Sequence, residues 1–137
     1  MLTDAPVDNQ GKGETFSPTD TVAVGLLTCM LTVVGIKAEK RGWNLGEFTG
    51  EIKKVMTDNP RRIIQLVAHL HFKGHELSSQ ARSVVEQTAI HCPVALSLHP
   101  DINQLVLRLS GEDGPRAVAL LNKNHFKVLT RYVKDLT

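Results

Sequence analysis

The sequence predicts an α+β domain in which two long helices pack against one sheet. Three observations carry that expectation. A nearly all-apolar run of helical spacing lies between Ser17 and Gly42. Two runs of interleaved apolar and polar residues are joined by Thr57-Asp58-Asn59-Pro60. A second helical pattern then leads to a strand in which Leu105, Leu107 and Leu109 alternate. At 137 residues, 42% of them hydrophobic and 22% charged, the chain has the size of one domain, residues 1–137.

Residues 1–16 are rich in Gly, Asp, Asn and Pro without an apolar period, and are read as an irregular lead-in. At Ser17-Pro18-Thr19-Asp20 the helix signals coincide: a hydroxyl at the N-cap, proline at the first helical position, and an acid at the third that can reach back to the cap. The helix that follows is apolar nearly all round, which predicts burial on most faces. Glu39-Lys40-Arg41 before Gly42 places cations at the negative end of the dipole and a glycine at the C-cap.

Glu47 to Met56 and Arg62 to Phe72 read as strands. In the second, Ile64, Leu66, Ala68, Leu70 and Phe72 share one face, and Ile63, Gln65, Val67, His69 and His71 the other, as in a half-buried antiparallel hairpin. Lys53 and Lys54 read as a solvated strand end. Leu77-Ser78-Ser79 caps a second helix lined by Ala81, Val84, Val85, Thr88 and Ala89 up to His91. Cys92-Pro93 interrupts it, and Val94 to Leu98 gives one more turn. Pro115 to Leu121 reads as a short helix and Phe126 to Val133 as a last strand.

A formal charge of +2, from 16 Lys+Arg and 14 Asp+Glu, argues against a nucleic-acid groove. The apolar stretches Thr21 to Gly35 and Ile102 to Leu109 are short or interrupted, and Met1 is followed by Asp4 and Asp8 rather than a leader. The expectation is a soluble cytoplasmic protein without a membrane partner. His69 and His71 share a strand face and His91 adjoins Cys92, but no third ligand stands at a diagnostic spacing. Surface or interface histidines are expected, with no metal. Gly11 and Gly13 introduce no phosphate-binding strand-to-helix pattern, so no cofactor is expected.

The chemistry is concentrated at Cys29 and Cys92, 63 positions apart and without a CxxC pair. Cys92 at an N-cap, with Pro93 at the first helical position, should have its pKa lowered by free N–H groups and the helix dipole. Cys29 lies about three turns into an apolar helix, where desolvation alone would raise its pKa. A cation or hydrogen-bond donor from another segment would have to face it for reactivity.

Phe16-Ser17-Pro18-Thr19-Asp20, the helix VAVGLLTCMLTVVGIKAEKRG, the segment KVMTDNPRRI and the later CPVALSLHPDI together resemble the OsmC/Ohr family of thiol-dependent hydroperoxide reductases, over about residues 3–102. The resemblance implies an intertwined homodimer with long central helices on an antiparallel sheet and active sites at the subunit interface. It also implies a peroxidatic Cys29, a resolving Cys92, a hydroperoxide substrate and a dithiol reductant such as dihydrolipoamide. Peroxidase members carry Glu directly after the helix-opening Pro, where it orients an Arg toward the reactive cysteine. Here Thr19 holds that position and Asp20 follows, and no Arg precedes Cys29. Asp20 or Thr19 is therefore the candidate orienter, and Arg61, Arg62 and Arg131 are the candidate thiolate-stabilising cations. HFKVLTRYVKDLT resembles the family's first strand moved to the other end, so residues 115–137 are read as a C-terminal extension with a permuted strand order. Leu26, Met30 and Val33 are expected to line an apolar substrate pocket. Two other functions compete: a non-catalytic protein of the same fold holding a small apolar ligand at the dimer interface, and a plain dimerisation module with inert thiols.

Overall fold

The computed structural model describes residues 2–5, 7, 10–45, 48–72, 77–110 and 125–128. Helix α1, Pro18–Arg41, begins and ends where its signals place it. Asp20 N–H donates to Ser17 Oγ at 3.1 Å while the Asp20 carboxylate accepts from Ser17 N–H at 2.9 Å. Gly42 closes the helix at φ 70°, a left-handed conformation that a side chain would resist. Among its described residues the lead-in before it has no long element and folds back on itself, with Asp4 N–H bonded to the Phe16 carbonyl.

Strands β1, Phe48–Thr57, and β2, Arg62–Phe72, form the expected antiparallel hairpin, with Ile52 opposite Ala68 and Gly50 opposite Leu70. The chain then runs through α2, Ser79–Ile90, and α3, Pro93–Ser97, before β3, Asn103–Ser110, and β4, His125–Val128. The sheet order is β3-β2-β1-β4. The α+β class stands, but the sheet is mixed and not wholly antiparallel: β3 lies parallel to β2, with Gln65 opposite Asn103. The helical segment between them carries the chain back to the end where β2 began, as a parallel pair requires. β4 pairs antiparallel with β1, Gly50 opposite Val128. The short helix read at 115–121 and residues 129–133 of the last strand lie outside the described residues.

The core forms between α1 and the sheet, with α2 packed beside α1. Leu26, Leu27, Met30, Leu31 and Val34 of α1 are buried against Ile52, Leu66, Ala68 and Leu70. Gly50 permits the closest approach: a Cβ built there would stand 2.7 Å from Leu27 Cδ1 and 3.1 Å from Leu31 Cδ1.

Three expectations change. α1 is not covered on most faces, since Val22 (37%) and Ile36 (44%) remain exposed on one stripe with Thr32, and Gly25, Cys29 and Val33 are half-buried. The sheet and α2 cover only part of a cylinder. The apolar stretch of α1 is also not too short for a bilayer. The helix has 24 residues and a mean hydropathy of 1.9 over an 18-residue window, with 44% of that window buried within the fold. Finally, the outward face of β2 is not exposed. As a central strand between β1 and β3 it buries Val67 and His69 as well as Leu66, Ala68 and Leu70, and Glu51 opposite His69 is only 3% exposed.

Gly50→Val should lower the free energy of unfolding by about 1–3 kcal/mol, as overpacking a tight core site does. Urea denaturation followed by circular dichroism measures the loss, and an unchanged midpoint would mean that α1 does not depend on this close approach.

Candidate functional site

Cys29 sits in the middle of α1, displaced by two residues from both Leu27 and Leu31. At about 100° per residue this turns its side chain away from the strand those leucines cover. There it is half-buried at the edge of the core. Cys92 follows α2 as the N-cap of α3 and is 1% exposed. α3 packs against α1, and Cys29 and Cys92 are close enough for each to feel the other electrostatically. Both are free thiols. The fold thus brings together the two side chains that the sequence singled out 63 positions apart.

The predicted electrostatics of Cys92 reverse. Its N-cap placement is as expected, with Ala95 N–H donating to Cys92 Sγ at 3.4 Å. Burial nevertheless pushes the thiol up to about 11. The N–H groups of Ala95 and Val94 oppose that shift, while hydrogen bonding and charge interaction with Cys29 reinforce it. A five-residue helix has little dipole to offset the loss of water around a sulfur anion.

Asp20 is not at the sulfurs. Its carboxylate completes the α1 capping box and accepts from Lys54 Nζ at 2.6 Å. Burial alone would raise its pKa, but the Lys54 ammonium and the Ser17 N–H outweigh that and hold it below the ordinary value. Lys54 is also not a solvated strand end. On β1 it shares the helix-facing side with Gly50 and Ile52, lies beneath the first turn of α1, and donates to Thr19 Oγ1 at 2.9 Å. Its side chain is only 11% exposed. The sequence signal was its even spacing from Ile52 and Gly50, obscured by the neighbouring Lys53. Cys29 lies nine positions after Asp20, about 14 Å along the helix axis, so this ion pair does not reach the cysteine of its own chain.

Arg61 belongs to the β1–β2 turn and faces Asp58 at 3.6 Å. From Gly50, beneath Leu27 and Leu31, strand β1 runs eight residues to that turn, about 26 Å. Arg61 is therefore not brought to the cysteine pair within this chain, and Arg62, which donates to the Ile63 carbonyl at 3.2 Å, starts from the same end of the hairpin. Arg131 lies outside the described residues. Leu26 and Met30 do not line a pocket beside Cys29, because both are fully buried in the core; Val33 alone of that set remains half-buried.

The histidines are not surface residues throughout. His69 is 3% exposed, and His71 Nε2 stands 4.0 Å from the buried Glu51 Oε2 on the sheet face turned away from α1. Among the described residues no group of three or more His, Cys, Asp or Glu side chains could hold a metal ion.

This geometry defines a protein with two neighbouring free thiols, one buried and one partly exposed on a helix flank. The OsmC-like protein family model matches residues 11–104. A protein from Psychrobacter arcticus 273-4, whose role in osmotic stress and detoxification is itself inferred, is 48% identical. The match covers 78% of this chain and 77% of that one, with a TM-score of 0.73. The organic hydroperoxide resistance protein OsmC of Legionella pneumophila is 16% identical at a TM-score of 0.61, covering 77% of each chain. The organic hydroperoxide resistance protein OhrB of Bacillus subtilis is 15% identical at 0.56, covering 71% of this chain and 73% of its own. No curated protein matches the chain. The chain belongs to the OsmC-like protein family.

Two pH effects follow. Asp20, with its folded pKa depressed, stabilises the fold above its unfolded value of about 4, and that contribution is lost as pH falls through the folded value. Asp20→Asn should cost about 1 kcal/mol at pH 7, with the gap to the parent closing in acid. A constant gap in denaturation curves from pH 7 to 3 would exclude the ion pair as its cause. Cys92, with its folded pKa raised to about 11 from 9.0, contributes stability that is full below pH 9 and is lost as pH rises through 11. Melting curves of the parent should fall more steeply across that interval than those of Cys92→Ser, which keeps an oxygen at the cap.

Proposed function

We propose that this chain is a thiol peroxidase that reduces organic hydroperoxides or hydrogen peroxide, with Cys29 as the peroxidatic and Cys92 as the resolving cysteine. The observation that carries the reading is the proximity of two free thiols, the partly buried Cys29 on α1 and the buried, protonated Cys92 at the head of α3. Cys29 is the attacker because it is the thiol a peroxide can approach. Its thiolate displaces the peroxide O–O bond, forming an S–O bond, and the alkoxide leaves with a proton as alcohol. The sulfur is thereby oxidised to sulfenic acid. Cys92 then attacks that sulfur, the S–O bond breaks, and its thiol proton leaves with the hydroxyl as water. A disulfide remains for a dithiol reductant, which places the cycle in a reducing compartment such as the cytoplasm.

We take the exposed stripe of α1 as the seat of a second copy of the chain, making a homodimer whose interface encloses Cys29. The support is its composition, with Val22, Gly25, Val33 and Ile36 around the cysteine and open space at Gly25 for a close helix approach. We also read residues 115–137 as the family's relocated first strand, for which the edge pairing of β4 with β1 is the support. A second reading, a non-catalytic protein holding a small apolar ligand at that interface, is favoured by Thr19 standing where peroxidase members of the family carry Glu.

Stoichiometric cumene hydroperoxide or hydrogen peroxide added to reduced protein should remove two thiols per chain. Cys92→Ser should stop at a trappable sulfenic acid, and Cys29→Ser should keep its remaining thiol. Unchanged thiols in the parent, with an apolar ligand retained in native mass spectra, would decide for the binding protein.

A further inference from the structure

The inner face of a sheet under two helices calls for apolar side chains, and β3 breaks that rule at Gln104. In the parallel register Gln104 stands opposite Leu66, a fully buried residue of the helix-facing side. Its amide Nε2 donates to the Ala95 carbonyl at 3.0 Å. That carbonyl is one that helix geometry leaves without a partner: α3 ends at Ser97, so the carbonyls of its last four residues have no N–H to meet within the helix. Ala95 is itself 7% exposed, where an unmet carbonyl is costly.

The same residue holds Cys92. Ala95 N–H points at Cys92 Sγ, 3.4 Å away, so the two polar groups of Ala95 are tied in opposite directions, one to the sulfur and one to the sheet. Sulfur is a weak acceptor, and a five-residue helix with a thiol for its N-cap side chain has little internal reason to stay in one place. The bond from β3 supplies an anchor in the sheet.

We propose that Gln104 is the positioning residue for the resolving thiol: by holding the Ala95 carbonyl to β3 it fixes the head of α3, and with it the sulfur of Cys92, against the sulfur of Cys29. This deepens the peroxidase reading in the chemistry it names, but the placement of the two sulfurs can be measured without any peroxide.

The experiment compares the parent with Gln104→Met, which keeps the length and loses the donor, and Gln104→Glu, which turns an acceptor toward the carbonyl. In glutathione redox buffers the Cys29 thiolate takes one sulfur of oxidised glutathione and releases a glutathione thiolate. Cys92 then displaces the second, closing the Cys29–Cys92 disulfide. The equilibrium therefore reports how well Cys92 is presented. Both variants should need about a three- to tenfold higher oxidised-to-reduced ratio at half-closure, the size expected for one lost hydrogen bond. With stoichiometric cumene hydroperoxide, dimedone-trappable sulfenic acid should form on Cys29 within about twofold of the parent rate. Closure to the disulfide should be slower by the same three- to tenfold, and excess peroxide should drive Cys29 on to sulfinic acid. Thermal melts establish that the variants are folded under these conditions. An unchanged glutathione midpoint, or oxidation and closure slowed in equal proportion, would overturn the assignment. A shifted midpoint in a parent protein that does not react with peroxide would sink the peroxidase and leave the role of Gln104 standing.

Discussion

The packing of α1 on β1 is the constraint from which the rest follows. Leu27 and Leu31 descend onto the bare backbone of Gly50, and this contact sets the rotation of α1 about its own axis. Once those leucines face the strand, Cys29 is turned to the helix flank where α3 arrives with Cys92. The Asp20–Lys54 pair secures the same docking from one end, joining the first turn of the helix to the strand beneath it. Neither contact touches the sulfurs, yet both decide where Cys29 stands.

Much of this was legible in the sequence, because local chemistry announces local structure. Ser17, Pro18, Asp20 and Gly42 mark the ends of α1 by groups that satisfy the helix's own unpaired donors and acceptors. Cys92-Pro93 marks the start of α3 in the same way. The alternation from Leu66 to Phe72 gave the inner face of β2, and the paired cysteine motifs gave the family. What was not legible depended on tertiary placement. Alternating leucines in β3 say that it is a strand but not which way it runs. Lys54 and Lys53 look alike until one is placed under a helix and the other is not. Arg61 looked available to Cys29 until the length of β1 separated them.

The Cys92 thiol shows how two sound local arguments can compete. An N-cap position lowers a thiol's pKa, and burial raises it. With only the short α3 on one side and the fully packed core on the other, burial wins. The outcome keeps Cys92 neutral and closed to solvent at pH 7.

The parallel seating of β3 beside β2 sets an order of events during folding. The β1–β2 hairpin closes over a four-residue turn, whereas Gln65 meets Asn103 only after 37 intervening positions are gathered in. Loop-closure entropy makes the second step about 2 kcal/mol more demanding than the first. Non-local pairing of this kind is the slow part of assembly. The nascent chain therefore carries Cys29 on a helix able to form early, while Cys92 waits for a crossover to be completed.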